Sequence, residues 1–440
     1  MKNFITIFIL ASIGAFSSCM DYSLDDLGPT TDAKDMNAMV APLRFNWTTS
    51  QSVSVSFKGT VTSNSIQSTL SISGSKSSYY KALHSNSKNQ EIKLTIPSNE
   101  TSFTVKFNGS VQTVSIVGGK AVIDFSKFAS QQKTTSRQRI VEDALGDQDG
   151  DGVIDIDDDY PTDANRAYNN NFPSINNQGT LAFEDNWPTK ADYDFNDVVV
   201  DYNINTVTNA QNQVVEVIGT FTLKASGASY NNGFGFQLDN ISPSKITTVT
   251  GSHLSSQYIS LDSKGLENNQ TFANCIVFDD FYSIMPRQVG KVGVNTEKGI
   301  SRVTPQTITT TITFIDNGVV PSGGAVLLSD LPFSVYNFYI IANRNRGVEI
   351  HLPDRVPTSL ANRGLFGQQD DDSAGSSRFY RTQNNLPWAI NVIQGFDYPI
   401  ERVPIDEAYL HLIRWAETSG AEFSDWYSNG VGYRVSSNLY

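Results

Sequence analysis

Residues 103–109 read Phe103-Thr104-Val105-Lys106-Phe107-Asn108-Gly109, a run in which apolar and polar side chains alternate until it ends in an Asn-Gly pair. Successive side chains of a β-strand point to opposite faces, so the alternation places the apolar side chains together and predicts a half-buried strand. An Asn-Gly pair favours the type I′ turn that joins two antiparallel strands. The stretch therefore predicts a β-hairpin.

Other short alternating stretches surround this hairpin. Residues 53–57 and 92–96 precede it with the same period of two, and residues 114–123 continue the pattern after it. Short half-buried strands at this spacing are typical of a β-sandwich, in which each of two sheets hides one face. We predict an Ig-like β-sandwich over residues 39–130.

Strand patterns resume beyond residue 166, with Ser, Thr, Asn and Gly between them. The strands are predicted at residues 198–202, 214–223, 234–238, 246–250, 307–314 and 333–341. One helix is predicted late in the chain, from Ile405 to Glu417, because its apolar residues recur at helical spacing. We therefore predict a mostly β protein whose larger C-terminal domain, residues 166–440, is a β-sandwich or jelly-roll-like fold with one late helix.

The length and the charge of the chain narrow the possible functions. A chain of 440 residues is too long for one ordinary hydrophobic core and predicts two or three domains. Asp and Glu total 45 against 32 Lys and Arg, which gives a net charge of −13. Nucleic acid is a poor partner for such a surface, because basic side chains supply most of the affinity for phosphates.

The first residues are typical of an export signal. Lys2 precedes an apolar run over residues 4–16, which is shorter than the roughly 20 residues that a membrane-spanning helix needs. We predict a signal peptide over residues 1–18. Ser17-Ser18-Cys19 resembles the lipobox of bacterial lipoproteins, which implies that Cys19 carries the lipid. An ordinary cleaved signal followed by a chance cysteine stays open as the alternative.

The anchoring prediction extends to the location of the protein. Residues 19–38 are polar and acidic and predict a flexible tether. A lipid on Cys19 would hold the protein in the bilayer of the bacterial outer membrane, and we expect the rest of the chain at the cell surface.

An acid-rich loop lies in the linker predicted over residues 131–165. Aspartates recur there at alternate positions with glycines between them, and Gly152 permits a sharp turn. The spacing is that of an EF-hand-type loop, in which Ca²⁺ is bound by oxygens from alternate positions. The predicted ligands are Asp147, Asp149, Asp151, Val153 through its carbonyl oxygen, Asp155 and Asp158.

This loop departs from an EF-hand in two ways. Its twelfth position carries Asp in place of Glu, and no helical pattern flanks it. The order Asp-x-Asp-Gly-Asp-Gly-x-x-Asp, with Pro161 just beyond it, instead resembles a thrombospondin type 3 calcium repeat. That resemblance also implies bound calcium. A disordered acidic linker is the alternative, although a generic acidic run would not place its acids at ligand positions.

A second cluster of oxygen-bearing side chains leads into the strand predicted at Val198. It suits Ca²⁺, because it lacks the His and Cys side chains that zinc prefers. Its candidate metal ligands are Glu184, Asp185, Asp192, Asp194, Asn196 and Asp197. In the alternative interpretation, these side chains cap turns and accept hydrogen bonds from backbone amides around a packed Trp187 and Phe195.

The same stretch also carries a family resemblance. Phe-Glu-Asp, Trp-Pro and Asp-Tyr-Asp-Phe-Asn-Asp within residues 183–197 closely resemble the signature of the LruC-type domain, which occurs in lipoproteins of Bacteroidetes, Leptospira and some other bacteria. Residues 232–236, 349–353 and 386–390 extend the resemblance over most of the mature chain. It implies a surface lipoprotein with no established catalytic activity.

Motifs for catalysis are weak. The sequence has no metal-binding histidine pair, nucleophile elbow or phosphate-binding loop, so we predict that the protein is not an enzyme. Large aromatics in the C-terminal third suggest a weaker hypothesis, in which exposed rings stack on sugars. Those residues are Trp388, Tyr398, Trp415, Trp426 and Tyr427.

The sequence is thus interpreted as a cell-surface, calcium-binding lipoprotein that acts as a binding or adhesion module. Its predicted partner is a glycan or a host or cell-surface protein, and its predicted cofactor is Ca²⁺. Two alternatives stay open. The first is a structural envelope or fimbria-associated component without a soluble ligand, and the second is an enzyme acting on glycans.

Overall fold

The computed structural model describes residues 35–60, 65–128, 146–227, 229–373 and 378–440. The predicted signal peptide, Cys19, most of the predicted tether and the first part of the predicted linker lie outside the described residues. The described residues form a mostly β protein, as predicted, with β-sandwich architecture and only short helices.

The smaller sandwich follows directly from the alternating stretches. Its described strands are β1 (Ser50–Lys58), β2 (Gln67–Ser73), β3 (Ser78–Ser85), β4 (Gln90–Pro97), β5 (Ser102–Phe107), β6 (Ser110–Ser115) and β7 (Lys120–Asp124). Among the described residues these strands form a three-stranded sheet of order β4-β1-β7 and a four-stranded sheet of order β3-β2-β5-β6. Val53, Val55 and Phe57 on β1 are buried between the two sheets, and the residues between them are only partly buried.

The predicted hairpin is confirmed. Phe107 at the end of β5 pairs with Ser110 at the start of β6. Asn108 and Gly109 between them have φ of +47° and +70°. A type I′ turn requires positive φ at both central residues, which is why an Asn-Gly pair signals it in a sequence.

The larger sandwich contains the remaining described strands. They are β8 (Tyr168–Phe172), β9 (Gly179–Phe183), β10 (Val198–Thr208), β11 (Val214–Ala225), β12 (Gly233–Leu238), β13 (Thr248–Thr250), β14 (Ala273–Phe278), β15 (Gln306–Thr313), β16 (Tyr336–Ile341), β17 (Glu349–His351) and β18 (Ala389–Val392). In the described chain, one sheet has the order β13-β15-β11-β10-β9-β18, with β8 paired to β10, and the other has the order β14-β12-β16-β17.

Aromatic side chains fill the space between these two sheets. Phe221 of β11 lies 5.5 Å from Phe234 and 5.8 Å from Phe236, both on β12, measured between ring centroids. Tyr202 of β10 lies 5.5 Å from Phe338 of β16. Aromatic residues bury large apolar areas, so these contacts explain why the two sheets pack face to face.

The late helix differs from its prediction. The structure has α1 (Phe281–Ile284) earlier in the chain and splits the predicted helix into α2 (Ile405–Ala408) and α3 (Leu412–Glu417). At the break, Tyr409 forms a β-bridge with Arg434, and the Leu410 N–H donates to the Tyr433 carbonyl oxygen at 2.9 Å. Pairing with the C-terminal segment replaces helical hydrogen bonds there, and local periodicity could not indicate it.

Residues 36–47 contribute to the core of the larger domain. Met36, Met39, Phe45 and Trp47 are buried in that core, and the Trp47 Nε1–H donates to the Asn385 carbonyl oxygen at 2.7 Å. The strands of the small sandwich begin only at Ser50. The small sandwich is therefore inserted between two parts of the chain that build the larger domain.

Two asparagines fasten the small sandwich to the larger domain. The Asn170 side chain exchanges two hydrogen bonds, of 2.7 and 3.1 Å, with the backbone of Lys81 on β3. The Asn212 side chain does the same with Leu83, at 3.0 and 2.7 Å. These amides occupy the open edge of β3 as a neighbouring strand would, which also protects the edge from pairing elsewhere.

Candidate metal centres

The acid-rich loop folds into a tight turn on which carboxylates converge. Asp147 Oδ1 accepts the Gly150 N–H at 2.8 Å, and its Oδ2 accepts the Gly152 N–H at 3.1 Å. Gly150 and Gly152 have φ of +75° and +97°, which would cost a non-glycine residue roughly 1 kcal/mol or more. The turn brings carboxylate oxygens of Asp147, Asp149 and Asp151 within 4.8 Å of one another.

Three aspartates of this loop each keep one oxygen buried without a hydrogen-bond partner. These oxygens are the Oδ2 atoms of Asp149, Asp151 and Asp158. Oδ1 of each accepts the backbone N–H two residues further on, at 3.2, 2.7 and 2.7 Å respectively. Asp158 is only 8% exposed. Because an unpaired buried carboxylate oxygen is costly, this arrangement favours a bound cation.

Electrostatics in the loop favour a cation as well. Burial raises the pKa of Asp158 to about 6, and the negative charges of Asp151 and Asp149 contribute to the increase. Burial also raises the pKa of Asp151, again together with neighbouring aspartates. A divalent ion among these oxygens would favour their ionised forms and reverse both shifts.

The other two predicted loop ligands have structural roles that the structure describes. Asp155 Oδ1 accepts the Gln148 N–H at 2.9 Å, and the Asp155 N–H donates to the Gly146 carbonyl oxygen at 3.0 Å, which closes the loop. The Val153 side chain is buried in a small cluster that includes residues of the larger domain and touches Leu83 of β3. The loop is therefore attached to both domains.

The second acidic cluster forms because β9 and β10 are antiparallel neighbours. The last residue of β9 pairs with the first residue of β10, so acids that follow β9 lie beside acids that precede β10. Carboxylate oxygens of Glu184, Asp192 and Asp194 come within 4.8 Å of one another. We call these three residues, together with Asn196, the acidic cage.

The backbone of the cage is strained. Tyr193 and Phe195 have φ of +63° and +48°, the left-handed region that bulky residues rarely adopt. Both aromatic side chains are buried in the main core, and Glu184 Oε1 accepts the Phe195 N–H at 2.7 Å. Strain of this kind persists where the surrounding structure enforces it, and it is concentrated at functional sites.

Two polar atoms of the cage are buried without a partner. They are Glu184 Oε2 and Asn196 Oδ1, and both residues are 0% exposed. The Asn196 Nδ2–H donates to the Pro399 carbonyl oxygen at 3.3 Å, which leaves Oδ1 as the free end of the amide. Asp192, by contrast, is exposed, so the cage is closed on its inner side and faces solvent on the other.

The cage concentrates negative charge. Burial raises the pKa of Glu184 well above its ordinary value, and the charges of Asp194, Asp197 and Asp192 add to this effect. Burial and the charge of Asp192 raise the pKa of Asp194 to about 8. The backbone N–H groups of Phe195, Asn196 and Arg402 partly offset these increases, and among the described residues no lysine or arginine side-chain charge is a main contributor to lowering either pKa.

The remaining two candidates are engaged in structural hydrogen bonds. Asp197 Oδ2 accepts the Asp185 N–H at 2.9 Å, and Asp185 Oδ2 accepts the Asn232 Nδ2–H at 2.8 Å. Burial raises the pKa of Asp185 to about 6 and that of Asp197 well above its ordinary value. Neither residue joins the group of converging oxygens, so the structure shows both in hydrogen-bonding roles beside the cage.

The donor atoms suit calcium. Both groups of converging ligands found in the described part of the chain consist of carboxylates alone. Ca²⁺ takes six to eight oxygen ligands at about 2.3–2.6 Å and tolerates irregular geometry. Zinc selects His and Cys ligands, which neither group contains. The residues present therefore fit a hard divalent cation.

One acid beside the cage, Glu401, is not among the ligands predicted from the sequence. Glu401 Oε2 and Asn196 Oδ1 both approach Gly227, where an added Cβ would lie 2.8 Å and 1.9 Å from them. Glu401 is about half-buried and lies in a loop far along the chain from Asn196. No motif in the sequence around Glu401 marks it as a ligand, because its neighbours at the cage come from distant segments.

The aromatic residues considered for sugar stacking are all buried. Their exposed fractions are at most 6%, and they belong to the main core. They are Trp388, Tyr398, Trp415, Trp426 and Tyr427. Rings without exposed faces cannot stack on a glycan, so the hypothesis that these residues bind sugars is wrong.

Comparison with known proteins gives a family match and a fold likeness. Residues 212–427 match the family described as "Domain of unknown function (DUF4842)". The crystal structure of a "Putative lipoprotein from Bacteroides ovatus" is similar, with a TM-score of 0.50 and 17% sequence identity over 86% of this chain and 93% of that chain. No curated protein matches the sequence. The LruC-type and thrombospondin-like resemblances stay predictions.

Within the described ranges, no helix is both long enough and apolar enough to cross a bilayer.

Proposed function

We propose that this protein is a calcium-binding lipoprotein of the bacterial cell surface that acts as a binding or adhesion module. The observation that carries the proposal is the set of buried carboxylate and amide oxygens without partners, which lie in two groups of converging acids. Burying such charges without compensation is costly, and a divalent cation compensates them at both places.

Calcium in the acid-rich loop would hold the two domains together. Val153 in the middle of the loop packs near Leu83 of the small sandwich. At the end of the loop, Asp159 forms a 2.7 Å ion pair with Lys81 of β3 and accepts the Asn169 N–H at 2.8 Å. An ion that fixes the loop therefore also fixes the orientation of the small sandwich against the larger domain.

The anchoring part of the proposal rests on the N-terminal sequence and on the fold likeness. Ser17-Ser18-Cys19 resembles a lipobox, and the structurally similar Bacteroides ovatus protein is described as a putative lipoprotein. We infer that Cys19 carries the lipid and that the protein is attached to the outer membrane, with its folded domains at the cell surface.

We infer no reaction at the acidic cage, although acids with raised pKa values are also typical of glycan-cleaving enzymes. A general acid must come within hydrogen-bond reach of its substrate. Glu184 is 0% exposed, and its Oε1 is already bonded to the Phe195 N–H. The cage therefore favours ion binding over catalysis, and we propose a protein or glycan of another surface as the partner.

Calorimetric titration of the full-length protein in detergent with CaCl₂ tests the calcium proposal. We expect the wild type to bind Ca²⁺ at both places, so that Asp149→Asn/Asp151→Asn removes loop binding and Glu184→Gln/Asp194→Asn removes cage binding. Chelation with EDTA should lower the Tm, because a ligand at a hundredfold excess over its Kd stabilises the native state by about 2.7 kcal/mol.

Asp157→Asn is the matched control, since it removes the same charge from the same loop at a position outside the predicted ligand set. It should bind Ca²⁺ as the wild type does. A wild-type protein that shows no heat of binding, together with a melting curve that EDTA does not change, would contradict the proposal.

A further inference from the structure

One side of the acidic cage is formed by a distant segment, residues 399–405, which we call the strap. Asp194 Oδ2 accepts the Arg402 N–H at 2.8 Å. The Tyr193 carbonyl oxygen accepts the Ile405 N–H at 2.8 Å, and the Asn196 amide donates to the strap at Pro399. The strap is therefore bonded to the cage segment at three residues, Tyr193, Asp194 and Asn196.

Glu401 in the strap faces the cage. Its N–H donates to the Thr296 carbonyl oxygen at 3.0 Å, which fixes the backbone, and its Oε2 approaches Asn196 Oδ1 next to Gly227. Gly227 leaves this space open, because any Cβ there would collide with both oxygens. The buried and partnerless Asn196 Oδ1 thus lies beside the Glu401 carboxylate.

The charges around the strap oppose its docking when no cation is present. The Glu401 carboxylate adds a negative charge beside the converging carboxylates of Asp192 and Asp194, although its side chain also forms a hydrogen bond with Thr296. The Arg402 guanidinium compensates the charge of Glu401 only weakly. Its side chain is 85% exposed, and its Nε lies 3.9 Å from Glu401 Oε1, which is the long limit of an ion pair.

The strap also carries backbone strain. Arg402 has φ of +63°, a left-handed conformation that a residue with a long side chain adopts at a cost of roughly 1 kcal/mol or more. That conformation directs the Arg402 N–H to Asp194. Strain and like-charge repulsion at the same place both require an opposing attraction, and a cation between these oxygens supplies it.

We propose that Glu401 is a ligand of the cage calcium ion and that this ion latches the strap onto the larger sheet. The inference rests on the proposed calcium site in the cage and adds a ligand and a mechanical role to it. The apolar side chains of α2 and α3 belong to the main core. The ion therefore holds the strap in place, whereas the rest of the C-terminal region is held by core packing.

The helices that follow the strap pack against the segment that follows the predicted tether. The strap leads into α2 and α3, where Trp415 lies 4.8 Å from Phe45 and 5.9 Å from Trp47, measured between ring centroids. Phe45 and Trp47 belong to the segment that follows the predicted tether. The strap therefore adjoins the helices against which this segment packs, while that packing itself belongs to the main core.

Hydrogen exchange of the full-length protein, measured with Ca²⁺ and with EDTA, tests the latch without any substitution. The Arg402 and Ile405 N–H groups should exchange about tenfold or more faster in EDTA, since both bond to the cage. Amides in the middle of β11 should respond much less. Equal exchange of the strap amides in the two conditions overturns the latch.

The variant Glu401→Gln tests the ligand directly by calorimetry. Calcium affinity at an oxygen site depends on the number of charged ligands, so we expect cage affinity to fall about tenfold or more while loop affinity stays unchanged. Glu407→Gln is the matched control, because Glu407 is an exposed glutamate just beyond the strap. It should bind Ca²⁺ as the wild type does.

The possible outcomes separate this inference from the proposed function. If Glu401→Gln binds Ca²⁺ in the cage with wild-type affinity, Glu401 is not a ligand, while the calcium site itself remains supported. If Glu184→Gln/Asp194→Asn binds as much Ca²⁺ as the wild type, the cage site and the latch both fail. Should Glu401→Gln unfold, the exchange comparison on the wild type decides the matter alone.

Discussion

At the scale of single residues, the structure distinguishes buried charges that are compensated by protein from those that are not. Glu349 is 1% exposed, yet its carboxylate accepts hydrogen bonds from Arg346, from His351 Nε2 at 2.9 Å and from the Thr358 N–H at 2.9 Å. Glu184 is buried as deeply but retains a partnerless oxygen. The contrast explains why we assign an ion to the second residue and a structural role to the first.

The compensated charge gives a prediction about pH. Burial alone would raise the pKa of Glu349, but hydrogen bonds and charges from His351, Arg346 and Thr358 together lower it from 4.5 to about 2. A lowered pKa in the folded state stabilises the protein above pH 4.5, and that contribution is lost as the pH falls towards about 2. The free energy of unfolding of Glu349→Gln should therefore be lower than that of the wild type by on the order of 3 kcal/mol at pH 7.

Urea unfolding midpoints measured at several pH values check this expectation, and the decline below pH 4.5 should be shallower in Glu349→Gln than in the wild type. Glu422→Gln is a suitable control, because Glu422 pairs with Arg414 on the exposed surface and should contribute little. Equal stability of Glu349→Gln and wild type at pH 7 would refute the role of this network.

At the scale of elements, the edge of β3 determines how the domains meet. A strand edge presents unpaired N–H and C=O groups, and here the Asn170 and Asn212 amides pair with them at Lys81 and Leu83. Side chains thus replace a neighbouring strand. Val153 and Asp159 of the acid-rich loop lie close to this edge, at Leu83 and Lys81, so the proposed ion binding and the edge capping would act on the same junction.

Removing one of these amides should weaken the junction. Asn170→Ala leaves the Lys81 N–H and carbonyl oxygen without their partner. We expect the free energy of unfolding of the small sandwich to fall by about 1–3 kcal/mol. Differential scanning calorimetry should show a lower Tm for the small sandwich. Asn171→Ala is the matched control on β8, and a variant Asn170→Ala that melts like this control would disprove the role of the amide.

At the scale of the whole molecule, the chain returns to the larger domain on both sides of the small sandwich. Residues 36–47 contribute to the larger core before β1 begins, and after β7 the acid-rich loop precedes β8 of the larger domain. The segment nearest to the predicted anchor is thus fixed to the larger domain. Along the chain, the first described residues after Cys19 therefore belong to the larger domain, and the small sandwich follows as an insertion.

The predicted anchor itself is tested by Cys19→Ser. Loss of the thiol removes the site of lipid attachment, and one lipidated residue with several acyl chains is enough for stable anchoring. Immunoblots of fractionated cells should find the wild type in the outer-membrane fraction and the variant in the soluble fraction. Recovery of the variant in the membrane fraction would contradict lipid anchoring at this residue.

The sequence predicted those features whose physical cause is local. Alternation with a period of two indicated the strands, and Asn108-Gly109 indicated the turn that joins β5 and β6. The convergence of Asp147, Asp149 and Asp151 was also predictable, because all three acids lie within one short loop with glycines at its turns. Neighbouring residues are brought together by backbone geometry alone, so no distant part of the chain is needed.

Only the tertiary structure decided the features that depend on distant contacts. Tyr409 leaves its helix because it pairs with Arg434, and Trp415 is buried because residues 36–47 pack against it. Glu401 lies beside Asn196 although the two residues are far apart in the sequence. A single sequence records what each residue prefers, whereas the partner that fulfils the preference is selected by packing, which acts between segments far apart in the chain.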